Sequence, residues 1–492
     1  MSEIPFIGPA YTLRSKNLDA QRCINLYPEV DQHGGKNTVA LVGTPGLTES
    51  TDLDNVPWLA TFKISEIMGA VCTVDIAYCI ARDTLRGNKG ILFFKDSSGW
   101  HVNTFVKTNI DPTPKSHISM AISNTHVMFV DGTDGFYRGH SDDWMTQITA
   151  AGFPANPETV TFQDGYFIVS IKDSQAFYIS GLNDPSSWSA LAFASKEGGS
   201  DNLKAVFSDH RELWLFGNNT TEVWYNSGAE FPFSRISGVF IETGIAAKHS
   251  IAKVDNSIMW LAADARGQGV VVRADGYNPQ VVSTRAIEYA IAQYSDISDA
   301  FAFSYQQEGH MFYVLTFPTG DATWVYDAST QMWHERWYGL DRQNKRILAN
   351  CYIFFGGEHI VGSRNDGKLF KMDLDVYTDN STTIKRLRSS PHIHNDRKRL
   401  FFSSFEVDIE SGIGLATGQG SDPQMMMRFS DDGGHSWSNE KWSGMGKIGK
   451  RNARCIWRRL GQSRDRIFEV SVSDPVKTVI INAHADVKAG KN

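Results

Sequence analysis

The chain repeats itself. A short apolar strand, a polar turn and an aromatic residue recur along it, with the aromatics at Trp100, Trp144, Trp188, Phe233, Tyr277, Trp333 and Tyr377. The intervals are 44, 44, 45, 44, 56 and 44 residues. Each unit also carries an apolar stretch upstream of its marker, such as Leu213-Trp214-Leu215-Phe216 or the run over 311–317, often preceded by a turn such as Gln163-Asp164-Gly165. A strand with one wet face would alternate, so continuous apolarity means that both faces are buried. Four-stranded units of ~40–50 residues repeated radially give a β-propeller, whose inner strands are covered on both sides by neighbouring sheets. Seven marked units predict an all-β chain with a seven-bladed β-propeller over residues 58–383. The 56-residue interval predicts an insertion between residues 283 and 301, where Arg285 to Tyr294 has the spacing of a short helix.

Two segments flank the repeat. Residues 1–57 are turn-rich and not repetitive, and propeller logic allows one of their strands to close the ring by completing the last blade. Residues 384–492 hold strand-like runs at 400–409, 425–429, 455–460, 467–472 and 479–481, which predict a separate C-terminal β-sandwich or barrel. A chain of 492 residues exceeds what one core supports, in keeping with this division. With 41% apolar and 21% charged residues it has the composition of a folded globular protein.

Some classes of function are disfavoured at once. No run approaches the ~18 apolar residues of a membrane span, so no membrane insertion is expected. The first residues lack the basic start and apolar block of a secretory signal. Five cysteines, Cys23, Cys72, Cys79, Cys351 and Cys455, form no CxxC pair. Reduced thiols in a protein made in a cytoplasm are expected, with neither a disulfide framework nor a zinc site.

The net charge of −7 conceals a separation. One basic run holds Lys385, Arg386, Arg388, Arg397, Lys398 and Arg399 against Asp396, for +5. A second holds Lys447, Lys450, Arg451, Arg454, Arg458, Arg459, Arg464 and Arg466 against Asp465, for +7. The rest of the chain is left with about −19. The first twelve residues of that set other than Arg464 and Arg466 are the candidate interface, a surface for an acidic protein or for phosphates. Two solvated loops with arginine on exposed strand faces would give the same pattern. Few aromatics interleave with the cations, so a single-strand stacking track is not indicated.

Catalytic signatures are missing. The Gly-Lys pairs at 367–368, 446–447 and 449–450 are not followed by Ser or Thr, as a phosphate loop requires. There is no GxSxG elbow. His334-Glu335 lacks the second histidine of HExxH, and His392 and His394 have no further ligands nearby. No enzyme activity, cofactor or metal is expected. Ser430, Asp432, Gly434 and Trp437 match an Asp box, SxDxGxxW, a hairpin turn that recurs in sialidase-type propellers without a catalytic role there. With the tryptophan content, that box suggests an alternative function, a carbohydrate-active propeller acting as hydrolase or lectin. The recurrence of an aromatic once per unit favours blade packing over a sugar platform.

Several segments carry a resemblance. The N-terminal RCINLYPE followed by GTPGL, then GYNPQVVSTRAIEYAI, FPTGDATWVYDASTQMWHERW and IWRRLGQSRDRIFEVSVSDPV, resemble the phage stabilisation family, the packaged-DNA stabilisation, head-completion or tail hub proteins of short-tailed phages (podoviruses). The strongest pieces lie at about 270–340 and 455–475. The resemblance implies a structural virion protein made in the host cytoplasm. It implies self-assembly into a ring, a homo-hexamer in the family pattern, beneath the portal and its adaptor. Such a ring would close the channel, retain packaged double-stranded DNA until genome ejection, and receive tail needle, fibre and tailspike proteins. The family has no compact motif from which contact residues carry over.

Overall fold

The computed structural model describes residues 2–30, 39–55, 62–85, 87–97, 99–103, 117–142, 144–263, 269–340 and 346–490. The expected domain boundary at residue 58 lies outside them.

Six four-stranded antiparallel blades follow one another over residues 64–103, 119–147, 157–195, 203–235, 252–281 and 301–335, each built from consecutive strands. Apolar layers fill the space between neighbours, and the run at 213–216 shows why it must be apolar throughout. Leu213 and Leu215 pack with Ile168 and Phe177 of blade three, while Trp214 and Phe216 pack with Trp260 and Val272 of blade five. The two periodic faces of one strand thus enter two different cores.

The expectation of seven blades made of consecutive strands is corrected to six. After the strands Ala349–Phe355, Glu358–Ser363 and Lys368–Asp373 the chain turns away, and no fourth strand follows in sequence. The vacant position is taken by Gly46–Asp52 from the N-terminal segment, antiparallel to Lys368–Asp373 with Leu47 opposite Met372. This composite sheet closes the circuit. Its Ile353, Ile360 and Leu369 pack against Ile67, Cys79 and Phe93 of blade one. The insertion between blades five and six holds the helix Arg285–Ile291, capped by the Thr284 side chain.

The C-terminal region is a β-sandwich, which decides between the two expected forms. One sheet runs in the order Cys455–Arg458, Leu400–Ile409, Val479–Ala489, Val39–Gly43, Leu26–Val30. The facing sheet runs Cys23–Ile24, Arg386–Ser389, Asp465–Val472, Gln424–Ser430, Lys441–Gly444. Phe405 and Phe468 stack between them with ring centroids 4.3 Å apart. The N-terminal segment therefore serves both bodies. Ile24 bridges Glu335 of blade six on one side and Leu387 of the sandwich on the other, joining the two into one continuous sheet.

Inner strands of the propeller converge on a cavity of about 300 Å3. His117 and Phe301 meet in it at 4.0 Å between ring centroids, and Lys248 pairs with Glu158 at 3.2 Å.

Candidate functional site: a basic rim on the sandwich

The candidate basic residues divide into three groups. The first is buried, which corrects the expectation that they form an interface. Arg386 and Arg388 lie on a strand hydrogen-bonded on both sides, and the N-terminal segment covers the face they share. Arg388 donates to the carbonyls of Phe6, Pro9 and Arg22 and to Gln21 Oε1. Arg386 packs against the backbone at Gly43, where a Cβ would stand 2.6 Å from its Nε. Burial holds its pKa down to about 10, partly offset by Asp379. Arg466, also in the second run, is buried as well. Its guanidinium lies over Phe402 and Phe429 at 4.4 and 4.0 Å and pairs with Asp431 at 2.6 Å. Lys385 is half-buried, and desolvation lowers its pKa. Charge counting along a sequence cannot separate these residues from surface cations, because the cover comes from other strands, for Arg388 from residues 6–22.

The second group is exposed but remote. Lys447, Lys450 and Arg451 occupy a loop beside residues 410–422, with Gly449 N–H donating to Gly412 and Lys447 facing Asp422 at 3.6 Å. Arg454 is engaged by Glu406 through two hydrogen bonds of 2.5 Å.

The third group forms a rim. Arg397, Lys398 and Arg399 precede the strand Leu400–Ile409, and Arg458, Arg459 and Arg464 surround its partner strands. Pairing of Leu400 with Ser463 and of Ser404 with Arg458 brings the two segments to the same end of the sheet. Arg464 donates to the Arg397 carbonyl at 2.6 Å, and Gly490 N–H donates to the Arg399 carbonyl at 2.7 Å. The latter contact brings exposed Lys488, opposite Phe401, to the same place. Phe401 is itself 46% exposed. Seven cations thus surround an uncovered aromatic at this end of the sheet. Of these seven, the candidate set read from sequence held Arg397, Lys398, Arg399, Arg458 and Arg459; it left out Arg464, counted only in the second basic run, and Lys488, a lone lysine that only strand register brings in.

The repeat aromatics share a place in the fold, at the fourth strand of each unit or the turn before it, but not one environment. Trp188, Phe233 and Trp333 are buried, and Trp100 is half-buried. Trp144 and Tyr277 are 60% and 40% exposed, so at those two positions the marker is not enclosed between blades. Tyr377 is half-buried where the last unit's own fourth strand would begin.

The Asp box is a turn of the sandwich, between Gln424–Ser430 and Lys441–Gly444. Asp432 accepts from the N–H groups of His435 and Ser436 and from Ser436 Oγ, and Ser430 Oγ donates to Asp432 at 2.7 Å. Hydrogen bonding from Ser436 above all holds its carboxyl well below the usual range. Gly433 and Gly434 have φ of +71° and +85°, which glycine adopts freely. Arg428 lies 4.6 Å over the Trp437 ring. Among the described residues no group of three or more His, Cys, Asp or Glu is placed to hold a metal ion. Nor is any described helix long and apolar enough to cross a membrane.

The chain is similar to several solved structures, all at low identity. The extracellular domain of a one-component system of B. thetaiotaomicron aligns with TM-score 0.40 and 9% identity over 88% of this chain, which spans 58% of that domain's length. YCF48 bound to D1 peptide aligns with TM-score 0.37 and 12% identity over 66% of this chain and 97% of that one. PorZ, a surface component of the type-IX secretion system of Porphyromonas gingivalis, aligns with TM-score 0.36 and 8% identity over 70% of this chain and 44% of that one. No curated protein sequence matches the chain. Family descriptions do match, and they follow the division seen in the fold. Residues 100–377 match bacteriophage P22 Gp10, beta-propeller, and residues 385–488 match bacteriophage P22 Gp10, beta-sandwich. With the propeller match alone covering more than half of its length, the chain belongs to the phage stabilisation family of bacteriophage P22 Gp10, a family of phage structural proteins.

Proposed function

We propose that this protein is the hub of a head-to-tail connector. Copies form a ring, six in the family pattern, beneath the portal and its adaptor. The ring closes the exit channel after packaging, retains the genome, and presents surfaces to a tail needle or fibre and to tailspikes. The observation that carries this reading is the basic rim, held at one end of a sandwich that is continuous with the propeller through Ile24. A rim so mounted transmits an axial force into a closed disc instead of a hinge. The central cavity of the propeller, about 300 Å3, is far too small for a duplex, so a hub of this fold would take DNA between copies.

The test is a phage lacking this gene product. Particles are expected to package DNA at normal levels and then to lose it, with retention restored by the protein supplied afterwards. Stable DNA retention in particles shown by mass spectrometry to lack the protein would overturn the reading.

A further inference from the structure

One groove of the propeller has a composition that neither blade packing nor the connector reading uses. It measures about 750 Å3 and lies between the hairpins of blades four, five and six. Its walls combine rings with hydrogen-bonding groups. Trp214 forms the apolar floor and is buried. Tyr277 stands beside it, 6.2 Å away between ring centroids and 40% exposed, with its hydroxyl donating across the blade boundary to Glu212 at 2.5 Å. Asn256, Asp275 and Gln280 line the same space.

Charge selects among ligands. The cationic groups lining the groove are already paired, Arg273 with Asp255 at 3.2 Å and His210 with Asp209 at 2.7 Å, and Lys253 beside the lining pairs with the same Asp209 at 2.9 Å. Among the described residues no cation pairs with Glu212 or Asp275. The groove therefore repels phosphates, nucleic acid and acidic sugars. Carboxylates and amides next to an exposed ring suit an uncharged ligand with many hydroxyls and a C–H face. The volume is in the range of small-molecule sites, ~300–1,000 Å3. Tyrosine supplies a ring with little entropy cost and a polar tip that fixes its orientation.

We infer that this groove binds a neutral saccharide, with Tyr277 as the stacking platform and Glu212, Asp275, Asn256 and Gln280 as hydroxyl partners. The site is independent of the basic rim, so it stands or falls apart from the connector reading.

The test uses the full chain on a printed array of neutral oligosaccharides built from hexoses, deoxyhexoses and N-acetylhexosamines, with sialylated and sulfated glycans beside them. Wild type is expected to bind at least one neutral glycan and no acidic one selectively. Tyr277→Ala and Glu212→Gln should each weaken that binding at least tenfold in titration, at an unchanged Tm. The Arg458→Glu/Arg459→Glu variant should bind as wild type does. No neutral glycan bound, selective binding of acidic glycans, or a folded Tyr277→Ala chain that binds as well as wild type would each overturn the proposal. A groove that instead takes a loop of another virion protein would give the first of these outcomes.

Discussion

Arg388 shows what a buried cation does in this chain. Among the described residues it has no carboxylate partner within hydrogen-bonding reach and instead gathers three carbonyls and one amide from residues 6–22. Truncation to alanine strands the Phe6 and Pro9 carbonyls and the Gln21 amide in a dry site, while the Arg22 carbonyl keeps the Ser389 N–H, at about 1–3 kcal/mol per unsatisfied group. Arg388→Ala is therefore expected to lower unfolding free energy by on the order of 3–5 kcal/mol, within the range for breaking a buried charged network. A urea midpoint within error of wild type would refute this. A second residue makes the joint between the bodies pH-sensitive. Burial raises the Asp379 pKa to about 6, against the lowering effect of Arg336 and Arg386. An unfolded aspartate titrates near ~3.9. Between about pH 4 and 6 the folded chain holds a proton that the unfolded chain has lost. The Asp379 contribution to stability therefore falls as pH rises through that window. Asp379→Asn should flatten the Tm-against-pH curve between about pH 4 and 7, and an unchanged slope there would count against this assignment.

At the scale of elements, the decisive strand is Gly46–Asp52. Without it, Lys368–Asp373 has a bare edge and the last sheet keeps only its three consecutive strands. Leu47 is buried and packs with Tyr27, Phe370 and Met372. Leu47→Asp buries an unpaired charge there and is expected to abolish folding. A chain begun at residue 62 loses Gly46–Asp52, Cys23–Ile24 and both strands over 26–43 together. It should elute as aggregate and lack near-ultraviolet circular dichroism. A monodisperse, folded truncated chain would show that the propeller closes without its N-terminal strand. The aromatic repeat made the blades legible because each blade needs an apolar side toward each neighbour. It did not reveal the composite closing sheet, since Tyr377 keeps the spacing of the repeat where the chain has already left the ring.

The whole molecule has its charge sorted by domain. Residues 384–492 carry 19 Lys+Arg against 12 Asp+Glu, while residues 58–383 carry 25 against 36. The rim is one exposed part of the first set. Reversing Arg397, Arg458 and Arg459 to Glu should leave Tm unchanged and slow assembly into rings or onto an adaptor. The defect should be largest at low salt, where screening is weakest. Assembly rates equal to wild type across the salt series would reduce the rim to solvated surface. Arg454 is left out of this set, because its reversal would place a carboxylate against Glu406.

The sequence by itself determined the all-β class, the blade strands, the short helix before blade six and the split between propeller and sandwich. Each rests on local periodicity or composition, and two-sided burial imposes these on every blade alike. Only the tertiary structure decided which cations are surface and which are core. It also decided where the ring closes, and that Tyr277 lines a groove while Trp333 is buried. Those outcomes depend on contacts between residues hundreds of positions apart, Arg388 with Phe6 and Gly46 with Asp373, for which nothing in the adjacent sequence provides a signal.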